Sequence, residues 1–141
     1  MRIGVVGSED ELRATWPVMR QLRPHLAEDD YVVMVRSMAD EGYRVAAGWK
    51  DGRVVAVAGF RFMTMLYAGR LLYVDDLVTD EAARSAGLGR AMIDWLKEQA
   101  VSARCSEIQL ISHVRREAAH RFYFREGFGI ECFEFRWRVA G

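Results

Sequence analysis

At 141 residues, 51% of them hydrophobic, the chain is long enough to bury one core and too short for two ordinary domains, so a single domain over residues 1–141 is expected. Twenty acidic and twenty basic residues cancel, which removes the overall field that would draw nucleic acid or an anionic membrane. There is no charged-then-apolar leader, no apolar run near the roughly 20 residues of a membrane span, and no C-x-x-C pair, so the reading is a cytoplasmic protein whose Cys105 and Cys132 are reduced and buried.

In chain order, Arg2 to Val6 reads as a short strand. Ser8 and Glu11 form a capping box ahead of Leu12, Trp16 and Met19 at helical spacing, with Pro17 expected to kink or restart that helix. Tyr31, Val35 and Met38 mark one face of a second helix that ends at Gly42. The period then changes. Tyr43 to Trp49 and Arg53 to Phe62 are β-rich runs joined by Asp51-Gly52, a strong hairpin signal, and Leu71 to Thr79 is the next strand. A helix runs from the RSAGLG stretch to about Ala100, with Leu88, Met92, Trp95 and Leu96 on its apolar face. Glu107 to Ser112 returns to strand, and a helix from about Arg115 stops at Gly127. The last segment, Cys132 to Val139, alternates Phe133, Phe135 and Trp137 against Glu134, Arg136 and Arg138, which reads as a final strand, with one more short strand near Phe128. The order is that of a mixed α/β domain.

Glycine costs roughly 1 kcal/mol relative to alanine inside a helix, yet Gly87 and Gly89 stand where a helix starts. The first turn of a helix offers unpaired N–H groups and a partial positive charge, so it binds anions, and glycine leaves its backbone accessible to a phosphate. Arg84 and Arg90 add charge-assisted contacts in that reading. The other reading is a tight turn with close helix-on-sheet packing. The dinucleotide fingerprint G-x-G-x-x-G fails at Met92, and no P-loop run is present.

The stretch LVTDEAARSAGLGRAMIDWL, with Arg84-x-x-Gly87-x-Gly89 at its centre, resembles the acyl-coenzyme A signature of the GNAT superfamily of N-acetyltransferases, and AAHRFYFREGF, Ala118 to Phe128, resembles that superfamily's second signature. The resemblance implies a single α/β domain, a mixed sheet with flanking helices whose two central parallel strands, Leu71 to Thr79 and Glu107 to Ser112, splay apart around acetyl-CoA. It implies that pantetheine pairs with the backbone of Leu77, Val78 and Thr79. The pyrophosphate would rest on the N–H groups of Arg84, Ser85, Ala86, Gly87, Leu88, Gly89 and Arg90.

Direct transfer of acetyl to an amine needs a deprotonated amine, a polarised thioester carbonyl and a proton for the departing thiolate. Tyr123 matches the residue that acts as general acid in similar enzymes. The superfamily's best-known glutamate base would fall on Tyr73, so that base is missing, and the adjacent acids Asp75 and Asp76 are the candidates, against a paired structural role. Alternation puts Asp75 on the face of Tyr73 and Leu77, and a β-bulge expected in this strand would scramble that parity. Arg116 stands where many relatives carry an asparagine. His113, Glu117 and His120 lack the H-E-x-x-H spacing, so no metal is expected, and His113 offers an alternative base through water.

The expected activity is an acetyl-CoA-dependent N-acetyltransferase acting on a primary amine of a small molecule or peptide. The acceptor would be selected by the first two helices and the loop from Met63 to Gly69. The rivals are a catalytically idle acyl-CoA-binding domain and an unrelated nucleotide-binding enzyme. Exposed strand edges and the aromatic C-terminal strand point to a homodimer.

Overall fold

The computed structural model describes residues 1–83 and 87–140. It divides into two compact units, Met1–Leu110 and Ile111–Gly141.

The first unit is built on a five-stranded sheet, β1 (Arg2–Val5), β2 (Arg44–Lys50), β3 (Arg53–Met65), β4 (Gly69–Thr79) and β5 (Glu107–Leu110), which lie in that order. Neighbours are antiparallel except β4 and β5, which are parallel. Asp51 and Gly52 both have positive φ, 52° and 76°, as a two-residue primed turn requires, and they close β2 onto β3 with Lys50 opposite Arg53.

Three helices cover this sheet. Helix α1 (Glu9–Leu22) starts at the capping box, Ser8 Oγ accepting from Glu11 N at 3.1 Å while Glu11 Oε1 accepts from Ser8 N at 3.3 Å. It runs without restarting through Pro17. Helix α2 (Glu28–Met38) passes through a short 3-10 turn to Gly42, whose φ of 90° ends it. Leu12, Val18, Met19, Tyr31 and Val32 of these helices pack on Tyr43, Val45, Val57 and Val78. Helix α3 (Leu88–Ser102) buries Met92, Ile93 and Leu96 completely, and Trp95 meets Phe60 edge to face at 5.7 Å between centroids. Val57 and Phe60 differ in parity along β3, so α1 and α2 lie on one face of the sheet and α3 on the other. Each fully buried apolar side chain contributes roughly 1.5–3 kcal/mol.

The second unit carries α4 (Glu117–Arg125), which ends at Gly127 with φ 92°. Within the second unit by itself, neither the strand expected over Cys132 to Val139 nor the one near Phe128 is formed. Alternation makes a two-faced ribbon, but a strand also needs a neighbour for its N–H and C=O groups, and the second unit by itself supplies no described strand. The expected burial of the thiols is not seen in the units taken separately: Cys132 is exposed in the second, and Cys105, in the loop after α3, is only half-buried in the first.

Candidate active site

Strand β4 brings its two adjacent acids to one side of the sheet because its regular alternation is broken. Asp76 is registered with Gly59 and Val74 with Phe60, so Asp75 is an extra residue opposite no partner: a β-bulge. Without it, Asp75 and Asp76 would point to opposite faces. With it, both carboxylates reach the side of the sheet that holds Tyr43.

Each carboxylate is held by its own set of donors. Arg61 Nε and Nη2 grip Asp75 Oδ1 and Oδ2 at 3.1 and 2.7 Å, a two-pronged contact, and the same guanidinium lies 5.3 Å above the Tyr43 ring. Burial raises the Asp75 pKa above the ordinary carboxylate value, and Arg61 opposes that shift. Asp76 accepts from the Tyr43 hydroxyl at 2.5 Å and from Arg23 Nε at 2.9 Å. Burial, then the negative charge of Asp76, pushes the Tyr43 hydroxyl well above its usual range, so it stays protonated and donates. Arg23 comes from the end of α1, and its Nη2 also bonds the Asp75 carbonyl at 3.1 Å.

Gly59 makes this arrangement possible. A Cβ there would run into the Tyr43 hydroxyl and lie 2.5 Å from both Asp76 Oδ2 and Tyr43 Cζ. Sequence reading missed Arg23, Tyr43, Gly59 and Arg61. A glycine inside an otherwise β-rich run was the one available signal, since it marks a bulge or a close approach.

Beyond the bulge, β4 leaves its parallel neighbour. The pairing with β5 covers Leu71–Val74 only, while Leu77, Val78 and Thr79 pair with Ala58, Val57 and Ala56 on the β3 side alone. The opposite backbone edge of these three residues has no ladder partner among the described residues, and it is the edge that an extended amide-bearing ligand can pair with. Gly87 follows as the N-cap of α3 with φ 72°, and no side chain among the described residues caps that helix end. A Cβ on Gly87 would meet nothing within 4 Å, so the glycine is required by its left-handed backbone and not by packing. Leu88 is buried beneath this turn, with Gly89 and Arg90 in the first helical turn. Arg84, Ser85 and Ala86, expected in the phosphate loop, lie outside the described residues.

In the second unit, Tyr123 of α4 packs between Phe122 and Phe128, with centroids at 5.4 and 5.9 Å. Burial raises its pKa, Arg116 acting in the other direction, and its hydroxyl has no hydrogen-bond partner among the described residues. The two histidines organise the approach to α4: Arg115 N donates to His113 Nδ1 at 3.1 Å, and His120 Nε2 lies 2.9 Å from the His113 carbonyl. No group of three metal-binding side chains occurs among the described residues.

The profile of the acetyltransferase (GNAT) family matches residues 9–129. The chain is 30% identical over 131 residues, 92% of each protein, to an uncharacterized N-acetyltransferase of Bacillus subtilis (strain 168). It is also 30% identical over 94 residues, 66% of this chain and 60% of the relative, to an aminoalkylphosphonate N-acetyltransferase of Salmonella typhimurium. Among solved structures, an aminoglycoside N-acetyltransferase in complex with CoA superposes with a TM-score of 0.83 at 11% identity, over 99% of this chain and 96% of that one.

Proposed function

The chain belongs to the GNAT acetyltransferase family, and from that premise we propose that it transfers acetyl from acetyl-CoA directly to a primary amine of a small molecule or peptide, without a covalent enzyme intermediate. The observation that carries the proposal is the edge of Leu77–Thr79 just beyond the Asp75 bulge, which has no ladder partner among the described residues and leads to the α3 N-terminus at Gly87, where no described side chain caps the helix. One end suits the amides of pantetheine and the other the pyrophosphate. The phosphate loop of the proposal spans Arg84, Ser85, Ala86, Gly87, Leu88, Gly89 and Arg90.

Each chemical role has an owner in this reading. Asp75, whose burial makes it a better base than an ordinary aspartate, takes the proton of the incoming ammonium. Asp76, fixed by Tyr43 and Arg23, supplies a second negative charge that draws the ammonium in. The amine nitrogen bonds to the thioester carbon, the C–S bond breaks, and Tyr123 gives its hydroxyl proton to the sulfur; the nitrogen releases its second proton to solvent as the amide forms, and solvent returns a proton to Tyr123 and removes the one on Asp75. The raised Tyr123 pKa keeps that proton in place at neutral pH. The cytoplasm is the compartment of the proposal, with both cysteines free thiols; no helix among the described residues is long and apolar enough to cross a membrane.

A second reading, an idle acyl-CoA-binding domain, is favoured by one observation: both carboxylates are already engaged by arginines. Thiol release from acetyl-CoA separates the two. The amine panel starts with aminoalkylphosphonates, the acceptor named for the Salmonella relative, and adds polyamines, amino acids, aminoglycosides and peptide N-termini. Release with at least one amine is expected. Acetyl-CoA at 100 times its dissociation constant should also stabilise the fold by about 2.7 kcal/mol. Stabilisation without turnover on any amine leaves the idle domain, and neither effect removes both readings.

A further inference from the structure

The acids of the β4 bulge do not stand alone: each is matched by one arginine, Asp75 by Arg61 and Asp76 by Arg23. The four charges cancel, and Glu41 adds only a more distant negative charge that acts on Arg61 without a hydrogen bond to it. A polycation therefore finds no surplus of acids to hold it, whereas a molecule with one ammonium and one anion leaves the balance unchanged.

The two arginines differ in what they have left to offer. Arg61 has its fork on both oxygens of Asp75 and one face over the Tyr43 ring. Arg23 uses Nε on Asp76 Oδ1 and Nη2 on the Asp75 carbonyl, and its Nη1 has no hydrogen-bond partner among the described residues. A guanidinium is a rigid plane of N–H donors, so fixing one edge aims the other at a defined place. Arg23 directly follows the last residue of α1, and within the first unit 40% of its side chain is exposed. Its bond to the Asp75 carbonyl sets those unused donors within one residue of the Asp75 carboxylate.

We infer that Arg23 selects the acceptor: the site takes a primary amine that carries an anionic group, a carboxylate or a phosphonate, on a short spacer, with the ammonium at Asp75 and Asp76 and the anion on Arg23 Nη1. That this ligand is an acceptor rests on the acetyl-transfer reading; its charge pattern rests on the arginines alone. Thiol release from acetyl-CoA by the intact chain is measured with matched amines: β-alanine and aminoethylphosphonate, which carry the anion, propylamine, which lacks it, and the diamine of equal length, which replaces it with a second ammonium. The expected kcat/KM for at least one zwitterion is about 10- to 100-fold above both propylamine and the diamine, the worth of a charge-assisted contact, and the two zwitterions tell which anion is taken. Arg23→Gln should shrink that ratio toward one, chiefly through the KM of the zwitterion, and Arg23→Lys should restore part of it. If Arg23 only supports Asp76, all amines slow together and the ratio survives, which overturns the inference; so does a wild-type chain with no preference for a zwitterion. If no amine is acetylated, calorimetric titration of the CoA-loaded chain with the same compounds decides. Zwitterion binding that Arg23→Gln weakens keeps the charge pattern and removes acetyl transfer, and a preference that is absent or indifferent to Arg23 overturns the inference as well.

Discussion

Replacing Gly59 with alanine adds one methyl group at the point where β3, the Tyr43 ring and Asp76 converge. Glycine in a strand interior ordinarily destabilises, so alanine there should gain roughly 0.5–1 kcal/mol, and Gly59 does not have a positive φ that would forbid it. The structure reverses the sign. The new Cβ would overlap the Tyr43 hydroxyl and sit 2.5 Å from Asp76 Oδ2, so the ring must move and its bond to the carboxylate must break. A hydrogen bond to a charged group is worth roughly 1.5–3 kcal/mol and one surplus methyl in a packed site costs roughly 1–3, so after the backbone gain the net loss is about 2–4 kcal/mol. Urea unfolding followed by circular dichroism measures it. The same substitution in a Tyr43→Phe background, where the hydroxyl is gone, should cost at least about 1 kcal/mol less; relief stays partial because Tyr43 Cζ is as close as the carboxylate. If Gly59→Ala is neutral or stabilising, or costs the same with and without the hydroxyl, the clearance argument is wrong.

Tyr123→Phe removes a hydroxyl with no hydrogen-bond partner among the described residues, so melting temperature and CoA affinity should hold while turnover falls roughly 10²- to 10⁴-fold in kcat as well as kcat/KM; full turnover would hand the acid role to solvent. Asp75→Asn keeps an oxygen for Arg61 but loses the base, and a similar fall at neutral pH is expected, whereas unchanged kinetics would make the carboxylate structural. Gly87→Ala forces a Cβ into φ 72° and should cost about 1–2 kcal/mol, part of it recovered by asparagine, which tolerates that region; identical stability of all three would contradict the observed backbone. Burial pushes the Tyr31 hydroxyl up to about 12 from 10, so its contribution is fully present below pH 10 and lost as pH rises through about 12; two units correspond to roughly 3 kcal/mol, and a urea midpoint flat from pH 9 to 12 would refute it.

The order of helices and strands up to Gly127 was legible because capping, hairpin and periodicity signals act over a few residues: the Ser8–Glu11 box, Asp51-Gly52 and the α3 stripe all formed where local chemistry put them. Gly87 at the start of α3 and Tyr123 within α4 were legible as motif positions for the same reason, since each motif lies within one turn or one helix. What the acids do was not. Asp75 and Asp76 were visible as an anomaly inside an apolar strand, but their shared face depends on a bulge set by register against β3, and their partners Arg23, Tyr43 and Arg61 come from 53, 33 and 14 residues away in sequence. Cys132–Val139 marks the same boundary from the other side. Its alternation tells which side chains would share a face, but whether it becomes a strand depends on a neighbouring edge, because a ladder is made by two segments and the sequence of one of them specifies half of it.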